Sequence, residues 1–312
     1  MTMKAWLFRD TDIPLELIER DVPEPGDGEV LIRVGACGIC HSDVGLFEDR
    51  KWLDMMKTPV VPGHEIAGTV AALGRGVAQF SPGDRVVVWS IAELHGYLRD
   101  GGFGEFVVAK ADTLVHVPAD VPLEKAIFSE PGMTAYAGVV TAGMVAPGQR
   151  VGIIGYGGLG RMGARIAQLK GSEIYIAEPN EAVWDDALAA GAKRVVRDVL
   201  ELQNEELDLV VDFAGFGTTT DGAISVVRPH GRVVLIGLGR TEAAINTYKL
   251  VGKNVSLRGS GGGSKEDLEA VLSLIASGEI DPVISATDFE GIPAGLTRLA
   301  EGGVTGRLVA IY

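Results

Sequence analysis

The chain has 312 residues, enough for two domains with well-filled cores, and its 43 glycines fall in local clusters rather than in a repeat. Its 42 acidic residues against 28 basic ones give a formal charge of −14, which argues against nucleic acid or anionic membranes as partners because phosphates are repelled. Two cysteines do not make a disulfide framework, no apolar run reaches bilayer length, and the opening MTMKAWLFRD reads as a strand rather than a signal peptide. A cytoplasmic protein with no membrane partner is expected.

Up to about Asp120 strands dominate. KAWLFR, EVLIRV, IAGTVAALG, DRVVVW, EFVVAK and TLVHV are short, rich in Val and Ile, and separated by turns such as EPGDGE and SPGD, which suggests an irregular β-barrel-like domain. Between the second and third of these lies GACGICHSD, Gly35 to Asp43, which holds both cysteines. As a pattern, Cys37 to His41 is CxxCH, the signature of covalent haem attachment. The CxxC within it is equally a redox pair or half of a structural zinc site. The lack of an export signal weakens the haem reading. Further on, VVPGHEIAGTV puts Gly63, His64 and Glu65 at a turn ahead of a strand. A thiol, an imidazole and acids on loops of one small domain are the donor types zinc accepts, and a catalytic site uses three protein ligands with a fourth position open.

The pattern changes after VPADVP. From Arg150 apolar strands alternate with helical periods, which implies a parallel sheet covered on both faces. RVGIIG reads as a buried strand, and GLGRMGARIAQLK as a helix with Leu159, Met162, Ile166 and Leu169 on one face. EIYIAE, EAVWDDALAAGA, LDLVVDFAG and RVVLIG continue the alternation, and KEDLEAVLSLIASG and GRLVAIY close the chain as helix and strand. At the first strand-to-helix turn stands Gly155-x-Gly157-x-x-Gly160, with Gly158 and Leu159 inside it. There Gly155 permits the tight turn, Gly157 lets the backbone approach a pyrophosphate, and Gly160 allows close helix packing. The helix N-terminus then offers free amides to the anion. Glu178 ends the next strand, where a carboxylate accepts from ribose hydroxyls and repels a 2′-phosphate. Pro179, Asn180 and Glu181 after it bring no cation for such a phosphate, so NAD(H) is expected over NADP(H).

GACGICHSD, GHEIAGTVAALGRGV and GYGGLG, in that order, resemble the zinc-dependent medium-chain alcohol dehydrogenases, and SPGDRVVV and GGVTGRLV are similar to that family too. Its zinc signature is matched by Gly63, His64, Glu65, Gly68, Gly74 and Val77. The resemblance runs over essentially the whole chain. It implies a GroES-like catalytic domain of residues 1–131 and 259–312, a Rossmann doubly wound domain of 132–258, and a homodimer or homotetramer. It also implies Cys40 and His64 as zinc ligands and Glu65 beside the metal. Glu130, in AIFSEPGMTAY, stands where many members have a third ligand cysteine. Asp43 orients the ligand histidine. Ser42 takes the substrate proton, His41 meets the cofactor phosphates, Thr134 meets the nicotinamide and Arg307 reaches the pyrophosphate. Cys37 becomes a small buried residue.

Two departures from the family pattern stand out. The lobe that carries a four-cysteine structural zinc is replaced by VVVWSIAELHGYLRDGGFGEF, without a cysteine, so one catalytic zinc per chain is expected. The position of the usual proton-relay histidine is Gly45, leaving water, the cofactor ribose or a histidine such as His95 as the exit. His95 is equally readable as an exposed loop residue, and His116 and His230 as structural ones. Trp52, Trp89 and AELHGYL are the expected pocket walls. The implied function is a zinc-containing, NAD-dependent alcohol dehydrogenase, with a small alcohol or carbonyl compound as substrate. An oxidoreductase that reduces activated C=C or C=N bonds (enone, quinone or imine) is the alternative, and a cofactor-binding protein without turnover is a third reading.

Overall fold

The computed structural model describes residues 1–312 and divides into two compact units, Met1–Glu130 with Leu272–Tyr312, and Pro131–Val271. No helix in either is long and apolar enough to cross a membrane.

The first unit begins with β1 (Thr2–Leu7) paired antiparallel to β2 (Glu16–Asp21). Its main sheet contains β3 (Glu29–Ile39), β4 (Glu65–Leu73), β5 (Arg85–Val88), β6 (Phe106–Lys110) and β7 (Leu114–His116), and from the end of the chain β14 (Ile284–Asp288) and β15 (Arg307–Ile311). The order is β14-β15-β3-β4-β5-β7, with β6 also on β3. Met3, Ile32, Ile39, Ile66, Phe103 and Leu308 are fully buried between the strands. Each contributes on the order of 1.5–3 kcal/mol by leaving water. The helices are α1 (His41–Glu48), α2 (Leu123–Ala126) and α9 (Ile292–Ala300).

Strand register assembles the site. On β3, Gly38 pairs with Glu65 and Cys37 with Ile66 of β4, while Ile39 pairs with Leu308 of β15. Pairing at these positions brings the residues beside them, Cys40, His64 and Arg307, to one end of the sheet. Gly38 must be small there. A Cβ would overlap the Glu65 carboxylate, with the Glu65 Cδ at 2.8 Å and its Cβ at 3.0 Å.

The second unit holds most of α3 (Ser129–Tyr136), a π-helical turn at Ala137–Ala142, and a strand–helix series. The series runs β8 (Arg150–Ile154), α4 (Gly158–Leu169), β9 (Glu173–Ala177), α5 (Trp184–Ala189), β10 (Arg194–Val196), β11 (Leu207–Asp212), α6 (Thr218–Val226), β12 (Val227–Leu235), α7 (Thr247–Gly252) and β13 (Ser256–Gly259). Its six strands are all parallel, in the order β10-β9-β8-β11-β12-β13. This is the doubly wound sheet the alternation implied. The face α4 buries differs from the expected one. Gly160, Gly163, Ala164, Ile166 and Ala167 are buried, whereas Leu159, Met162 and Leu169 are only half-buried. The reason is close approach: a Cβ on Gly163 would lie 2.5 Å from the Phe213 ring. The chain returns to the first unit after Val271, inside α8 (Lys265–Ala276), later than the sequence boundary at 258. Asp267 accepts from Thr141 Oγ1 at 2.6 Å and Val271 is fully buried, which ties that half of α8 to the second unit.

Candidate metal centre and cofactor loop

Cys40 caps the N-terminus of α1, and the third helical residue, Asp43, folds back to accept from the Cys40 amide at 2.8 Å. The other Asp43 oxygen faces His64 Nδ1 at 3.4 Å, and His64 Nε2 faces Glu65 Oε1 at 3.9 Å. Thus Asp43, itself buried, fixes the turn that carries the thiol and stands against the imidazole. Ser90 Oγ donates to the His64 carbonyl and holds that loop. Arg307 reaches the fully buried Glu65 carboxylate with Nε, 2.9 Å from Oε2, and with its second guanidinium nitrogen. A potential ligand atom from each of Cys40, His64 and Glu65 lies within 4.8 Å of the other two.

The charges suit a cation. Burial alone would raise the Cys40 thiol, yet Arg307 and His64 outweigh it and hold Cys40 well below the ordinary thiol range. A ligand thiol has to be a thiolate, so this pre-paid ionisation favours metal uptake. Burial, assisted by Cys40 and Asp43 against the opposing pull of His64, lifts Glu130 to about 7. A thiolate, an imidazole and carboxylates around one point are the donor set zinc takes. The residues present therefore fit that ion. Glu130 is not part of the tight Cys40, His64, Glu65 group; it stands at the wall of the adjoining cavity together with His64.

That cavity, of about 240 Å³, lies within the first unit and is mostly apolar, with Trp52, Ile91, Leu94 and Tyr97 among its walls. Tyr97 stacks on Trp52 with ring centroids 5.9 Å apart and touches His64 at 5.6 Å. Trp89 precedes the turn Ser90–Ala92 and is not a lining residue. His95 also lines the cavity, but it is no exposed loop residue. It is fully buried, with Nδ1 2.8 Å from the Asp100 carbonyl and Nε2 3.5 Å from Glu93. Glu93 in turn binds Arg99, which reaches Glu29 at 2.8 Å, so charge pairs fasten the segment that replaces the cysteine lobe. His116 stacks on Phe80, and His230 occupies a left-handed turn with φ of 61°. Both are structural.

The glycine loop has the geometry its spacing implied. Gly155 has φ of +84°, Gly157 caps α4, and a Cβ on Gly160 would overlap the Gly155 carbonyl, its carbon 2.8 Å away. Around Gly157 and Gly158 nothing lies within 4 Å of a Cβ, which leaves the helix N-terminus open to a pyrophosphate. Glu178 spends part of its capacity on the protein. Its oxygens accept from the Tyr156 and Asn180 amides at 2.7 and 2.8 Å, bracing the loop. It still lines a cavity of about 430 Å³ with Gly155, Phe216 and Thr218. Sequence reasoning missed two residues here. Arg197, far from Pro179 to Glu181 in sequence, lines the same cavity and pairs with Glu181. Asp212, fully buried, gathers the Ala214 and Gly215 amides and the Thr219 and Thr220 hydroxyls and shapes the neighbouring turn. The run of amides and hydroxyls after an apolar strand was the available signal for Asp212; nothing signalled Arg197.

Of the other expected residues, Ser42 is half-buried at the start of α1 and His41 beside it is exposed. Thr134 is half-buried on α3. Arg307 is committed to Glu65, a role the sequence did not suggest. Cys37 is fully buried, and burial raises its thiol well above the ordinary range, as suits an inert packing residue.

Residues 26–119 match the alcohol dehydrogenase GroES-like domain and residues 158–277 the zinc-binding dehydrogenase domain. An alcohol dehydrogenase of Geobacillus stearothermophilus is 30% identical, over 98% of this chain and 99% of its own length. Among solved structures, an acetophenone reductase from Geotrichum candidum in complex with NAD is similar with a TM-score of 0.89, at 27% identity, over 100% of this chain and 97% of that one. A cobalt- and zinc-bound thermostable alcohol dehydrogenase from Pyrobaculum aerophilum is similar with a TM-score of 0.86, at 27% identity, over 100% of both chains. The fold and site define a two-domain, GroES-like and Rossmann dehydrogenase. The chain belongs to the medium-chain, zinc-type alcohol dehydrogenase family, whose reaction is the NAD-dependent interconversion of alcohols and carbonyl compounds.

Proposed function

We propose that this protein oxidises a compact, largely apolar alcohol to its carbonyl compound with NAD+, and catalyses the reverse, using one zinc ion per chain. The observation that carries the reading is the convergence of Cys40, His64 and Glu65 within 4.8 Å beside an apolar cavity. Cys40, His64 and Glu130 would hold the ion, with Glu65 able to enter its coordination. When bound, zinc supplies a Lewis acid that lowers the pKa of an alcohol, and NAD+ supplies the hydride acceptor.

The chain's own residues do the rest. Asp43 orients His64, and Arg307 holds the Glu65 carboxylate in place and favours the Cys40 thiolate. Trp52, Ile91, Leu94 and Tyr97 exclude water from the substrate carbon, which strengthens every electrostatic interaction at the site. Ser42 accepts the alcohol proton. On the cofactor side, Gly155, Gly157, Gly158, Leu159 and Gly160 receive the pyrophosphate, Glu178 takes the ribose, and Thr134 positions the nicotinamide; His41 supplies a further contact to the phosphates. The size of the cavity, about 240 Å³, favours substrates smaller than the usual range of about 300–1,000 Å³ for ligand sites.

The test is a panel of alcohols, enones and imines with NAD(H), run on the zinc-loaded and chelated protein. Turnover of alcohols that is lost on chelation and restored by zinc supports the reading. Zinc-independent reduction of enones or imines, with no alcohol turnover, overturns it.

A further inference from the structure

Leu94 has a backbone conformation that a leucine rarely takes. Its φ is +52°, in the left-handed region that favours glycine and asparagine. Such strain persists only where the surroundings impose it, and it gathers at functional sites. Here a tight turn imposes it. The Leu94 carbonyl accepts from the Tyr97 and Leu98 amides at 3.1 and 2.8 Å, and the Gly96 amide donates to the Arg99 carbonyl at 2.7 Å. Glycine or asparagine would make this turn with less strain, so the leucine is there for its side chain.

Leu94 lines the cavity beside the metal centre and is 40% exposed. Met55 and Ile91, which line the same cavity, are exposed too. Three large apolar side chains are thus left facing water along one cavity, although each gains by leaving it. The stacked rings of Trp52 and Tyr97 continue the apolar wall. The place of the wall relative to the metal centre is fixed. Ser90 Oγ donates to the His64 carbonyl, and the Gly101 and Gly102 amides donate to the Val61 and Gly63 carbonyls, both at 2.7 Å. Between these anchors the segment is held by the Arg99 pairs to Glu93 and Glu29.

We infer that Leu94 is a specificity-determining residue which, with Met55 and Ile91, receives the apolar tail of the alcohol. The substrates are then alcohols with one hydroxyl and an unbroken alkyl or aryl tail, and diols, polyols and hydroxy acids are disfavoured. A second hydroxyl or a carboxylate at the far end of the molecule would lose water against three apolar side chains, which is costly. Covering the open 40% of Leu94 is worth about three- to eightfold in affinity. The cysteine-free segment Ser90 to Asp100 thereby selects the substrate.

This role of Leu94 rests on the proposed alcohol oxidation, and two readouts on the zinc-loaded protein keep the two apart. Straight-chain primary alcohols from ethanol to octanol, and the matching α,ω-diols, are titrated without cofactor by tryptophan fluorescence, since Trp52 lines the cavity. The same compounds are then assayed for kcat/KM with NAD+. Leu94→Asn suits the left-handed turn, keeps nearly the same side-chain shape and sets an amide against the tail. Leu94→Gly suits the turn and removes the side chain. Each longer alcohol is compared with ethanol on the same protein, so differences in active fraction cancel in the ratio. The parent should favour longer alcohols over ethanol and over the matching diols. In both variants the advantage over ethanol should fall by about three- to eightfold, and in Leu94→Asn the preference over diols should narrow as well. A parental chain-length advantage in both variants overturns the role of Leu94. Diols bound by the parent as tightly as the alcohols overturn the substrate class. Binding that depends on Leu94, without turnover of any alcohol, supports the role of Leu94 and overturns the proposed reaction instead.

Discussion

Gly38→Ala tests the register that builds the site. The new Cβ would lie 2.8 Å from the Glu65 Cδ and 3.0 Å from the Glu65 Cβ, both inside the 3.4 Å at which ordinary contact begins. Rotation of the Glu65 side chain relieves the first clash but not the second, because the Glu65 Cβ is fixed by its place in β4. Overpacking of this kind costs about 1–3 kcal/mol. Glu65 also loosens from Arg307, now 2.9 Å from its Oε2, and a hydrogen bond to a charged group contributes about 1.5–3 kcal/mol. A loss of about 4 kcal/mol is therefore expected in the first unit. Urea unfolding followed by tryptophan fluorescence reads it, since Trp6, Trp52 and Trp89 all lie in that unit. The control is Gly252→Ala, which has nothing within 4 Å of its Cβ and should be neutral or slightly stabilising. A Gly38→Ala midpoint equal to that of the parent would refute the packing argument.

In Gly160→Ala the methyl group meets the Gly155 carbonyl, so the loop opens and NADH affinity, read by fluorescence titration, should fall at least about tenfold, or 1.4 kcal/mol. The parent should prefer NADH to NADPH in kcat/KM. Glu178→Ala removes the repelling carboxylate within reach of Arg197, so the preference should narrow by about tenfold; an unchanged ratio contradicts the role of Glu178. Burial would raise Glu93, but hydrogen bonds from His95, Lys110 and Arg99 hold it near 2, below its ordinary 4.5. A depressed carboxylate stabilises above its unfolded pKa and loses that contribution as pH falls through the folded one. The parent should thus lose more stability between pH 4.5 and 2 than Glu93→Gln does, in parallel denaturation series.

Much of this was legible in the residues. The change from period-2 strands to strand–helix alternation gave both halves, and GxGxxG after RVGIIG gave the loop, because local backbone demands are written locally. Cys40, Ser42 and Asp43 were legible as a group because one capped helical turn carries them. What escaped depends on contacts distant in sequence. Arg307 meets Glu65 only through the β15–β3–β4 register, and Arg197 meets Glu181 only through the order of β9 and β10. The α4 face was misjudged because large apolar side chains were counted, while small residues set the close packing. His95 looked exposed in a polar loop, and the charge pairs that bury it are invisible to periodicity.

The most direct test of the account is diffraction from crystals of the purified protein at wavelengths on either side of the zinc absorption edge, with metal quantified on the same sample. One zinc per chain is expected, with a single anomalous peak ligated by Cys40 and His64 and by Glu130 or Glu65. A zinc-free active protein, or a peak away from Cys40 and His64, would contradict it.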